Sequence, residues 1–122
     1  MSFEHLYPEV HALVTELWEH PELGYSEHCT AQAVEQFLLR HGEGLAIERF
    51  STTGLKVSLP TAAPEDRDRR RIAVVAELDA VISPAHPESD PAPGAVHACG
   101  PHTQGGIALA VFAHLVGTGT WK

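Results

Sequence analysis

Residues 103–116 read as a helix that is apolar almost all the way round. Ile107, Leu109, Val111, Phe112, Leu115 and Val116, with Ala108, Ala110 and Ala113, surround its axis, and only His114 is strongly polar in its second half. A helix with no polar face must be covered on several sides. That requirement constrains the fold more than any other feature of the chain. The two helices and three short strands expected upstream can hardly provide that cover.

Two amphipathic helices are expected upstream. Over 8–20, Val10, Leu13, Val14, Leu17 and Trp18 form one stripe at helical spacing. Pro8 suits the first turn, where a missing N–H costs nothing, and Pro21 stops the helix. A second helix is expected from Ser26 or Glu27 to His41, with Ser26 as N-cap. Thr30, Val34, Phe37 and Leu38 mark its inner face, Cys29 is expected to be a small buried hydrophobe, and Gly42 and Gly44 end it.

Strands are expected at 45–50 and 55–59, around a Thr53-Gly54 turn, then a polar loop over 60–70. Residues 71–78 contain an unbroken apolar run, Ile72 to Ala76, which predicts a strand buried on both faces. Asp79 stands at its end, where open α/β sheets gather functional groups. Residues 83–101 read as a long irregular loop rich in Pro, Ala and Gly. The order helix-helix-strand-strand-strand-loop-helix gives an α/β fold with an incomplete sheet, and the length suits one domain.

Charge narrows the function. Eight Lys+Arg against sixteen Asp+Glu leave a formal charge of −8. That balance argues against a nucleic-acid binder, which needs clustered cations. No apolar run approaches the roughly 20 residues of a membrane span. The start, Met1-Ser2-Phe3-Glu4-His5, lacks the basic and apolar parts of an export signal, so a cytoplasmic location is expected, with Cys29 and Cys99 as free thiols or one as a metal ligand.

Nine histidines invite a search for metal chemistry, and the richest segment is His97-Ala98-Cys99-Gly100-Pro101-His102-Thr103-Gln104-Gly105-Gly106. It places a thiol and two imidazoles, the donors that zinc and its neighbours prefer, before a helix start. The same segment also reads as a polar loop capping that helix. Glu77 and Asp79 point to one face if the strand persists; such a carboxylate reads as a metal ligand, as the group that orients a ligating His, or as an ordinary helix cap or loop hydrogen bond. His20-Pro21-Glu22-Leu23-Gly24-Tyr25 reads structurally as a helix stop and a turn.

Together these segments resemble the M20 metallopeptidase family, in its aminoacylase/amidohydrolase branch. The N-terminal signature is similar to 20–27, the strand ending in an acidic-x-Asp-Ala pattern is similar to 72–80, and the Gly-x-x-His-Ala-Cys-Gly segment is similar to 94–100. The resemblance implies the N-terminal part of a zinc-peptidase-like catalytic domain. It implies two divalent ions (Zn, Mn, Co or Ni) in a complete site and hydrolysis of the amide bond of an N-acyl amino acid or small peptide. By position, Cys99 matches the thiolate ligand and Asp79 the Asp near the metals. Pro101 stands where the branch has a ligating His, so His102 is the substitute ligand, and Gln104 stands where many members have another His.

The paired Glu residues, later His ligands and lid/dimerisation domain of the family have no counterpart here. The chain is therefore expected to be a fragment, inactive alone, that acts with a missing C-terminal half or as a homo-oligomer. Two other functions compete: a non-catalytic remnant acting as an interaction or oligomerisation module, and a small thiol or single-metal protein built on Cys99.

Overall fold

The computed structural model describes residues 2–59 and 71–119. After a 3-10 turn at Glu4–Leu6 come α1 (Tyr7–Glu19), α2 (His28–His41), β1 (Ile47–Phe50) and β2 (Gly54–Val57). Then come β3 (Val81–Ile82), β4 (Ala95–Val96) and α3 (Pro101–Thr118). The three helices fall where periodicity predicts them, with ends shifted by one or two residues. The expected loop over 60–70 and the chain beyond Gly119 lie outside the described residues.

The core is helical. Leu13 and Leu17 of α1, Val34, Phe37 and Leu38 of α2, and Leu109 and Ala113 of α3 are buried together with Leu6. Phe37 is fully buried. Gly106 brings α3 close to α1: a Cβ there would lie 2.5 Å from Val14 Cγ2, so only glycine permits the approach. Cover for α3 comes from one side, and Ile107 on its other side is 61% exposed. Glu9 of α1 accepts hydrogen bonds from Arg40 (2.8 Å) and His41 (2.7 Å) of α2, which ties the two helices at their rim.

The strands form two separate antiparallel pairs. In the first, Ile47 lies opposite Val57 and Phe50 opposite Gly54, across a turn with left-handed backbone at Ser51 and Thr52. Ile47, Leu55 and Val57 lay this hairpin against the helical core. In the second, Val81 lies opposite Val96 and Ile82 opposite Ala95. A mixed α/β class therefore holds.

Three expectations need correction. Residues 71–78 form no strand ladder, and Ile72, Val74 and Val75 are exposed rather than buried on both faces. An apolar run becomes a central strand only where flanking strands accept its backbone hydrogen bonds, and neither hairpin here offers them. Ser26 does not cap α2, because the Glu22 side chain reaches its first amides instead. Cys29 is exposed on the first turn of α2, not buried.

Candidate functional site

The site is assembled where the stop of α1 meets the segment before β3 and the start of α3. Pro21 ends α1, and the chain turns through 20–27. Ala80 N–H donates to the Glu22 carbonyl at 2.7 Å, and Leu23 and Ala80 form a parallel bridge. This pairing sets Asp79 beside the turn. A methyl group on Gly24 would lie 3.9 Å from Asp79 Oδ2 and 4.0 Å from Glu27 Oε1. Glu27 is buried and accepts a hydrogen bond from Thr53 Oγ1 at 2.6 Å.

Glu22 is occupied differently. It accepts from the backbone N–H groups of Cys29 (3.1 Å) and Thr30 (2.6 Å) and from Thr30 Oγ1 (2.7 Å). Burial alone would raise this carboxyl, but those hydrogen bonds outweigh it and hold Glu22 below the ordinary carboxylate value. The residue is a helix cap supplied from a distance. Its spacing, seven and eight residues ahead of the amides, follows no local capping pattern.

On the other side, β4 leads directly into His97. The ring is 1% exposed, and neither nitrogen has a hydrogen-bond partner. The Leu17 carbonyl sits near enough to favour the charged ring without meeting hydrogen-bond geometry. Gly100 N–H closes a turn on the His97 carbonyl at 3.0 Å. Gly100 has φ +86°, a left-handed conformation that suits glycine, and Pro101 then opens α3. Thr103 and Gln104 donate back to the Gly100 carbonyl, both at 3.1 Å.

This turn swings His102 onto His97, with ring centroids 5.3 Å apart. Trp18 packs on His102 at 5.0 Å, and His86 lies edge-on to Trp18 at 6.4 Å. Burial, then the charge of His102, push the His97 imidazole below its ordinary value, while Asp79 and Glu22 pull the other way. Burial lowers His102 as well. Both rings are thereby favoured in the neutral form, whose free nitrogen lone pair can bind a ligand or accept a proton.

His102 therefore packs on His97, a residue whose burial no sequence period announced, and Asp79 acts on that ring as a nearby negative charge. Trp18, read only as part of an apolar stripe, is the wall behind them. Cys99 is exposed on the connecting turn. Among the described residues, no group of three or more His, Cys, Asp or Glu side chains is arranged to hold a metal ion. Also among the described residues, no helix is long and apolar enough to cross a membrane. Compared with known families, curated proteins and solved structures, the chain has no match.

Proposed function

We propose that this chain carries part of the centre of a metal-dependent amidohydrolase of the M20 type, acting on N-acyl amino acids or small peptides. Divalent ions, when bound, supply such a centre with a polarised carbonyl and an activated water. Asp79, Cys99 and His102 are the residues that would face them. The observation that carries this reading is the buried imidazole of His97 set against the half-buried imidazole of His102. Three of their nitrogens, both of His97 and Nδ1 of His102, are buried without a partner. A buried polar atom left unpaired costs about 1–3 kcal/mol, so a bound ligand that satisfies it recovers that cost.

The donors fit this centre in part. Imidazole, thiol and carboxylate come from one short region, yet no three meet at one point among the described residues. The contribution of this chain is then to bury and orient donors, with Trp18 excluding water from one side. That same shortfall, with Pro101 in place of a ligand, favours a second reading: a remnant that kept the scaffold and serves as an interaction or oligomerisation module.

Titration with cobalt(II), followed by absorption, separates the two. The hydrolase reading expects saturable binding with a thiolate charge-transfer band. Cys99→Ser removes the band and His102→Ala weakens binding. Absence of saturable binding up to millimolar cobalt rejects the hydrolase reading and leaves the remnant.

A further inference from the structure

His97 is not among the residues assigned so far to face a metal, yet its ring is the more fully prepared donor. It is 1% exposed, and among the described residues neither nitrogen has a hydrogen-bond partner. Cys99, two residues on, is exposed. His102 adds a further buried nitrogen without a partner, Nδ1, and its ring centroid lies 5.3 Å from that of His97.

That spacing fits an ion between the two rings. A zinc-like ion sits about 2.0–2.1 Å from an imidazole nitrogen, hence about 3.2 Å from the ring centroid, and two such rings at the tetrahedral angle have centroids about 5.2 Å apart. Ring packing alone would leave all three buried nitrogens unpaired, at a cost to the fold. The surroundings also favour a cation. Asp79 and Glu22 act on the His97 ring as nearby negative charges, and the Leu17 carbonyl lies close to the same ring. A ligating His generally directs its other ring N–H at a carboxylate or a backbone carbonyl, which fixes the tautomer and frees the second nitrogen. Leu17 is the carbonyl placed for that role.

We propose that His97 and His102 together hold one divalent transition-metal ion, with His97 a direct donor. The inference rests on the hydrolase reading and deepens it, because it adds a second imidazole to Asp79, Cys99 and His102. Two imidazoles favour zinc, cobalt, nickel or copper over magnesium or calcium, which prefer oxygen donors.

Cobalt(II) titration of the full chain in a Trp121→Phe background, which leaves Trp18 as the only tryptophan, tests this by fluorescence and absorption together. Trp18 packs on His102 at 5.0 Å, so the bound ion should quench it saturably. His97→Ala should weaken binding about tenfold or more, the scale on which even outer-shell partners of a metal act. His97→Phe, which keeps a buried ring without a donor, should do the same, and circular dichroism verifies that both variants fold. In the parent chain, zinc(II) should shift ring-nitrogen signals of two histidines in proton–nitrogen correlation spectra, and this measurement decides if neither variant folds. Parent affinity in a folded His97 variant, or zinc shifts confined to one histidine, would overturn the inference and leave the hydrolase reading, with its thiolate band intact. No saturable binding to the parent chain would remove both.

Discussion

Two apolar stretches of this chain, 107–116 in α3 and 72–76 ahead of β3, end in different surroundings. The first is laid on α1 and α2, with Leu109 and Ala113 buried in the core. The second is largely exposed and unpaired. Their composition does not explain the difference. A helix satisfies its own backbone hydrogen bonds, so it needs only apolar contact, and the stripes of α1 and α2 supply that. A strand must find backbone partners as well as apolar neighbours. Burial is thus decided by who can complete the backbone, not by hydrophobicity alone.

The widest test of that contrast sets Phe37→Ala against Ile72→Ala. Removing the fully buried Phe37 ring should cost about 3–5 kcal/mol by urea denaturation. Removing Ile72 from the exposed run should change monomer stability by no more than about 0.5 kcal/mol. An Ile72→Ala loss as large as that of Phe37→Ala, at high dilution, would show the run to be covered and break the comparison. A loss that grows with protein concentration would sharpen it, locating the cover in a second copy.

A smaller effect probes how closely α3 is held. Gly106→Ala places a methyl group 2.5 Å from Val14 Cγ2. Overpacking of this kind costs about 1–3 kcal/mol, against roughly 1 kcal/mol gained from alanine's better helix propensity. Net destabilisation is expected, and Val14→Ala in the same chain should relieve much of it. A Gly106→Ala variant stabilised by the full ~1 kcal/mol of alanine's helix propensity would mean that α1 and α3 are not in contact at this point.

The contrast also marks what was legible in the sequence. Helical stripes are local signals, and the inner face read for α2 (Thr30, Val34, Phe37 and Leu38) is buried at every position. The run at 72–76 carries an equally clear apolar signal, but the strand that would flank it is a non-local fact that no period encodes. In the site, the cluster 97–102 stands out by composition. The turn at Gly100 that faces its two rings together, and the bridge at Ala80 that delivers Asp79, do not. Cys29 departs from its expected burial for a related reason: it sits on the opening turn of α2, whose amides turn toward Glu22 while the residue is exposed.

The smallest effect concerns that cap, the polar link between the helical layer and the uncovered run. Glu22 holds the first turn of α2 with its carboxylate and the Ala80 amide with its carbonyl. Glu22→Gln keeps the shape and removes the charge, and should cost about 1 kcal/mol at neutral pH, as for the loss of a side-chain N-cap. Its pH dependence has a definite sign. The folded carboxyl lies below the ordinary value of 4.5, so the ionised cap stabilises the fold fully above that value. The benefit fades as pH falls through the lower, folded value. The parent and E22Q should therefore differ in urea midpoint near neutrality and converge in acid. A gap that persists unchanged into acid would assign Glu22 a packing role instead. The turn, rather than the charge, would then hold Asp79 and the end of the uncovered run against the helices.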